Sequence, residues 1–271
     1  MQNGKQGRVL IVAGSDSGGG AGIQADIKAV TVMGGFATTA VTAITVQNTL
    51  GVHGIHEVPV DIVAAQMRAV LYDIGTDAVK TGMLHSAAIV EAVAEELSRL
   101  DELPPLVADP VMVAKGGASL LEDAAVAALR EVLIPLSALV TPNVPEAEIL
   151  TGRKIVDVEG QKAAADALLG LGAEAVLIKG GHLSGDLIFD VLATQETIQI
   201  FSSPRIDTRH THGTGCTLAS AIAALIAQGV DLTAAVAASR DYVHEAIRTA
   251  PGFGKGHGPL NFLAVLDDDD E

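Results

Sequence analysis

Residues 8–33 read RVLIVA-GSDSGGGAG-IQADIKAVTVM. Arg8 to Ala13 is a short run rich in β-branched residues, which predicts a buried strand. Gly14 to Gly22 is a glycine-rich loop. From Ile23 to Met33 the apolar residues Ile23, Ile27 and Val30 fall on one helical face. Strand, glycine loop and helix together open a βαβ unit.

The same alternation continues outward from this stretch. Thr38 to Val46 reads as a second strand. Asp61 can cap a helix running to Asp73, and Ala78 to Thr81 is a short strand. Ser86 can cap a helix through Leu100, and Leu106 to Asp109 is a buried strand that ends in a carboxylate. A helix over 123–133, a strand over 138–141, helices over 145–150 and 159–171 and a strand over 175–179 follow. Residues 186–208 break the rhythm: Leu187 to Ala193 and Thr197 to Phe201 read as an antiparallel edge hairpin. Two Ala-rich helices, 214–228 and 232–249, close the chain. This pattern predicts one α/β domain over residues 1–271, with a mostly parallel central sheet and helices on both faces.

Composition narrows the function. The chain is 49% hydrophobic and carries a formal net charge of -16. Such a surface repels phosphate backbones, which argues against nucleic acid as a partner. Part of the charge lies in Asp267 to Glu271, read as a solvated, disordered tail. The single cysteine, Cys216, allows no internal disulfide and fits a reducing cytoplasm. The apolar stretch around Leu218 to Ala227 is interrupted by Ser220 and is too short to span a membrane.

Ligands of such sheets bind beyond the carboxyl ends of the strands, and the unusual polar residues cluster there. The Gly14–Gly22 loop is no Walker A loop, because no Lys-Ser/Thr pair follows its glycines. Gly20-x-Gly22-x-x-Ala25 resembles a dinucleotide fingerprint, but residues 38–48 contain no acid to hold a ribose. A backbone cradle for a ligand or a plain tight turn remain. Thr211 to Thr217 places Gly213, Thr214 and Gly215 at a helix start, where backbone N–H groups and the helix dipole favour an anion. Cys216 is there either a dipole-activated thiolate or a small hydrophobe. Glu146, after Asn143-Val144-Pro145, can bind Mg²⁺ or simply begin a helix. Lys179, before two glycines, can meet phosphate. Asp109 brings a carboxylate to another strand end.

In this order the motifs resemble those of the ribokinase-like superfamily, and more closely the hydroxymethylpyrimidine/phosphomethylpyrimidine kinase family, over residues 8–260. They are Ala13 to Asp16 with Gly18 to Gly22 and Gln24 to Asp26; Val46-Gln47-Asn48; Lys80 to Leu84; Asp109 to Met112; Thr141-Pro142-Asn143 with Glu146-Ala147; Lys179 to His182; Thr211 to Thr217; and Gly254 to Pro259. Gly18-Gly19-Gly20 departs from the commoner Ser-Gly-Gly. The resemblance implies a three-layer ribokinase-like fold and an ATP- and Mg²⁺-dependent cytoplasmic kinase of thiamine biosynthesis. Such a kinase phosphorylates 4-amino-5-hydroxymethyl-2-methylpyrimidine and then its monophosphate, and a homodimer is expected.

The resemblance also implies roles. Gln47 matches the pyrimidine-binding glutamine, whose amide both donates and accepts, and Gly14, Asp26 and Met83 match the rest of that pocket. Cys216 stands where many sugar kinases carry a catalytic Asp, and Gly213 to Gly215 match the anion hole. Asn143 and Glu146 match an Asn-x-x-Glu element that places Mg²⁺ and phosphate, and Lys179, with Asp109 nearby, is expected at the ATP phosphates. A pyridoxal/pyridoxine kinase of the same fold is the near alternative. A non-catalytic nucleotide- or vitamin-binding regulator is the alternative of another class.

Overall fold

The computed structural model describes residues 6–112 and 123–264. The acidic run 267–271 lies outside the described residues. The core is one sheet in the order β3-β2-β1-β4-β5-β6-β7-β8-β9. Its strands are β1 (Arg8–Asp16), β2 (Phe36–Asn48), β3 (Gly51–Glu57), β4 (Ala78–Thr81), β5 (Leu106–Ala108), β6 (Leu139–Val140), β7 (Ala175–Ile178), β8 (Leu187–Thr194) and β9 (Ile198–Pro204). The run from β2 to β7 is parallel.

Strand alternation divides the core. Val9, Ile11, Ala13, Val107 and Leu177 point to one face. There they meet α1 (Gly22–Val32), α7 (Thr214–Ala227) and α8 (Leu232–Arg248). Leu10, Val12, Val79, Ala108 and Ile178 point to the other. That face is covered by α2 (Val60–Ala69), α3 (Ala87–Ser98), α4 (Asp123–Ala128), α5 (Val144–Thr151) and α6 (Val158–Leu169). The central strands are therefore buried on both sides, which is why they read as continuous apolar runs.

The structure departs from the sequence expectation at both edges. The β8–β9 hairpin is antiparallel as expected, and β8 pairs with β7 antiparallel as well. At the opposite edge β3 forms a third antiparallel pair, with β2, that the sequence pattern does not announce. Its residues, GVHGIHE, are half-exposed or exposed throughout, so no buried alternation marks them. Two expected helices also end in widened, π-type turns, Val70–Ile74 and Leu129–Leu133. Asp61 lies in the first turn of α2 rather than at its cap, which is Pro59.

Candidate active site

The carboxyl ends of the strands open into a cavity of about 800 Å³, a size that suits a nucleotide with a small second ligand. Every residue singled out above as a site candidate lines it, except Asp26.

At one end lies the β1–α1 loop, organised by Asp16. Its carboxylate accepts from the N–H groups of Gly18 (2.7 Å), Gly20 (3.1 Å) and Ala21 (2.8 Å). His212 Nε2 lies 2.8 Å from the same carboxylate. Burial works against this charge, but the His212 contact and the backbone donors outweigh it and hold Asp16 below the usual carboxylate range. Gly22 begins α1 with φ +56°, and a Cβ there would overlap the Gly14 carbonyl oxygen. A Cβ on Gly14 would meet the terminal methyl group of Met83, which would have to turn aside. Gln47 stands beside this loop at the end of β2, its backbone pinned by Ser17 Oγ, which accepts from Gln47 N–H (2.8 Å) and donates to Gln47 C=O (2.7 Å).

Asp26 is elsewhere. It is fully buried on the inner side of α1, 2.8 Å from the equally buried Lys80 Nζ, and it accepts from Ser220 Oγ at 2.7 Å. The residue expected in the substrate pocket lies behind its wall, and Lys80 is the member of the pair that adjoins the cavity. Burial works against the charge of Lys80, yet Asp26, with Cys216 and Asp109 beyond it, raises the ammonium above its ordinary range.

In the middle of the cavity α7 begins. Gly213 is its N-cap, with φ +83° and no side-chain cap. A Cβ here would overlap the Gly20 carbonyl oxygen, so the two glycine loops pack backbone to backbone. Thr214 Oγ1 closes the turn onto the Thr211 carbonyl at 2.8 Å. Thr217 is the residue that bonds back to Gly213 C=O, at 2.9 Å, which leaves the N–H groups of Gly215 and Cys216 without an acceptor in their own helix. Both residues line the cavity, and donors at a helix start suit an anion.

Cys216 is half-buried at this point, and its burial favours the neutral thiol. Burial pushes the thiol up to about 12, with Asp26 and Asp109 adding to the rise against Lys80 and the Gly22 N–H. Desolvation leads this rise and the two nearby carboxylates add to it.

The third group sits on the neighbouring strand ends. Asp109 Oδ1 binds Lys179 Nζ at 2.8 Å and accepts from Thr141 Oγ1 at 3.0 Å. Asn143 and Glu146 form a reciprocal capping box on α5, 3.0 Å and 2.8 Å. The helix-start role of Glu146 is therefore real, and it coexists with a place on the cavity wall. Burial and Asp109 push Glu146 up to about 7, against Lys179 and the donors Asn143 and Met112. Burial opposes the charge of Lys179, but Asp109 and Glu146 raise it.

Among the described residues no group of three or more His, Cys, Asp or Glu side chains is arranged to hold a metal. Asp109 and Glu146 supply two carboxylates at one wall, a set that fits Mg²⁺ completed by ligand phosphates and water but no protein-only cage.

The far end of the cavity escaped the sequence reading. Ile149, Ile188, Pro204, Ile206 and Ile247, from α5, the β8–β9 hairpin, the segment after β9 and α8, line it together with Arg205, Asp207, Thr208 and His244. Scattered isoleucines carry no motif. The hairpin itself was legible, but not that its inner face would be a binding wall.

The chain matches the phosphomethylpyrimidine kinase family over residues 16–261. It belongs to that family. Among its relatives, the hydroxymethylpyrimidine/phosphomethylpyrimidine kinase of Bacillus subtilis is 48% identical over 95% of this chain and 95% of its own length. The thiamine biosynthesis bifunctional protein ThiED of Geobacter sulfurreducens is 53% identical over 97% of this chain, which spans 54% of that longer protein. Among solved structures, an ADP complex of Bacillus subtilis pyridoxal kinase superposes with a TM-score of 0.89 at 35% identity, covering 97% of this chain and 99% of that one. The family and the ribokinase-like fold expected from the motifs are both borne out. Among the described residues no helix is long and apolar enough to cross a membrane.

Proposed function

We propose that this kinase uses ATP to phosphorylate 4-amino-5-hydroxymethyl-2-methylpyrimidine and then the resulting monophosphate, in the cytoplasm, as a step of thiamine biosynthesis. The carrying observation is the position of the α7 start. It lines one cavity together with Gln47 and the apolar side chains of Ile188, Ile206 and Ile247.

Gln47, Met83 and Gly14 receive the pyrimidine. Ile188, Ile206 and Ile247 receive the adenine by apolar contact. The N–H groups of Gly215 and Cys216 stabilise the charge of the phosphoryl group in transfer. Lys179 turns from Asp109 to the triphosphate. Asp109 and Glu146 would hold Mg²⁺, which neutralises phosphate charge when bound and offsets the share of Asp109 in holding Cys216 up. The sulfur of Cys216, next to the reacting hydroxyl, takes its proton in the thiolate form, the thiol having first released its own proton to solvent. A homodimer belongs to the same reading, and the exposed Ile44, Val46 and Leu50 near the β2–β3 edge offer a second copy an apolar face.

Product formation tests this with purified protein, ATP and either the alcohol or the monophosphate. Turnover of the alcohol but never of the monophosphate would refute the two-step reading. The similarity to a pyridoxal kinase structure supports a second reading, in which pyridoxal is also a substrate. Comparing kcat/KM for the two vitamers decides the preference.

A further inference from the structure

Gln47 has a carboxamide with one accepting and one donating end, and what surrounds it decides which way it turns. Its Oε1 lies 3.1 Å from Thr45 Oγ1, and its Nε2 lies 3.3 Å from His212 Nε2. Both neighbours have other obligations. His212 Nε2 is 2.8 Å from Asp16 Oδ2, a carboxylate that already accepts from Gly20 and Ala21 through that same oxygen. A carboxylate at this distance from a ring nitrogen requires a hydrogen on that nitrogen, because two lone pairs would otherwise face each other. The His212 tautomer therefore carries hydrogen at Nε2. That hydrogen has its shorter partner in Asp16, so an amide oxygen at 3.3 Å takes a share of it as a three-centre contact, whereas an amide nitrogen there would set two N–H groups head to head.

The other end agrees. The one hydrogen of Thr45 Oγ1 has its shorter partner in the Ser15 carbonyl, 2.7 Å away. Toward Gln47 the hydroxyl then offers lone pairs, which suit an amide N–H. Both neighbours ask for the amide turned over, with oxygen toward His212 and nitrogen toward Thr45.

Resting on the assignment of Gln47 to the pyrimidine lobe, we propose that His212 is a positioning residue. Held by Asp16, it fixes the Gln47 amide and so sets the donor–acceptor order offered to an aminopyrimidine edge. An exocyclic amine beside a ring nitrogen presents a donor next to an acceptor. The amide oxygen takes the donor, and the remaining amide N–H meets the acceptor. The reversed amide would present the mirror order and turn the ring over. His212 is suited to the task because its ring lies against Gly20, where a Cβ would come within 2.6 Å of its Cδ2. It also directly precedes Gly213 at the start of α7, so it ties ring recognition to the phosphoryl cradle.

The test is a double-mutant cycle on the full chain, reading KM for the pyrimidine and for ATP separately. His212→Leu leaves Asp16 with its backbone donors, so the loop keeps its form. It is expected to raise the pyrimidine KM about tenfold, the effect of one misdirected hydrogen-bonding group, with ATP KM within about twofold. In a Gln47→Ala background the same change should have no further effect. His212→Gln, which keeps a donor toward Asp16, should stay near wild type, and it carries the test if the leucine variant does not fold. An equal effect of His212→Leu with and without Gln47, an equal rise in ATP KM, or a tenfold loss in His212→Gln would overturn the proposal. Unchanged pyrimidine KM in Gln47→Ala alone would instead refute the lobe assignment on which it rests.

Discussion

Removing either member of the buried Asp26–Lys80 pair should harm the fold equally and Cys216 oppositely. Both side chains are fully buried and 2.8 Å apart. Breaking such a pair from one side leaves an uncompensated charge and costs roughly 3–5 kcal/mol. Asp26→Asn and Lys80→Met are each expected to lose about that much in urea unfolding, and the double variant should recover part of it. The effect on the thiol has a sign for each. Cys216 stands at about 12, raised by burial and by Asp26, and lowered by Lys80. Asp26→Asn removes a carboxylate while Asp109 still favours the Lys80 cation, so the thiol pKa falls. Lys80→Met removes the cation, so it rises further. A charge at this range moves a pKa by about 1–3 units, and alkylation near pH 8 follows the thiolate fraction. Iodoacetamide should therefore modify Asp26→Asn about 10- to 1000-fold faster than wild type, and Lys80→Met more slowly. Rates that move in the same direction in both variants would refute the electrostatic account, and unchanged urea midpoints would refute the stability account.

Cys216→Ser keeps the size but loses acidity, and kcat should fall by about 10²–10⁴; near-wild-type kcat across pH 6–9 would make Cys216 a packing residue. Lys179→Ala should raise KM for ATP and also lower the unfolding midpoint, because it strips buried Asp109 of its ion-pair partner. Unchanged ATP kinetics would remove Lys179 from the phosphate site. Glu146 is raised to about 7 in the folded chain, so it favours the fold at low pH, and that contribution is lost as pH rises through about 7. Glu146→Gln should flatten this part of the stability–pH profile and weaken the Mg²⁺ dependence of turnover; parallel profiles and identical metal titrations would leave Glu146 only its capping role.

What could be read in advance follows from the range of each constraint. Glycines declare themselves by residue type, even where the atom that excludes a Cβ is remote in the chain, as Gly20 is for Gly213. The parallel strands declare themselves by burial on both faces. Pairings far apart in the chain leave no such trace. Asp26 meets Lys80 across 54 residues, and Asp16 meets His212 across 196. A carboxylate in a motif can thus be assigned to a pocket when it serves the wall behind it. Ser86 is a similar case: it holds the N-cap position of α3 as expected, but its hydroxyl donates to Glu57 instead of capping the helix.

The two lysines at the cavity also explain how a chain of net charge -16 could bind a triphosphate. A buried, unpaired lysine tends to lose its proton, so isolation would remove the charge a phosphate needs. Pairing keeps it. Lys80 is held charged by Asp26, and Lys179 by Asp109. Both pairs are close to neutral as units, so they add little to the long-range field. The Lys179 cation is nonetheless present at the cavity wall, and the fully buried Lys80 cation lies behind that wall. An arriving phosphate need not attract a lysine from solvent or protonate one; it has only to compete with Asp109 for Lys179. Attraction to the nucleotide is then a property of charge separation over a few ångströms, supplemented by the N–H groups at the start of α7, and the acidic surface more than a Debye length away is screened from it.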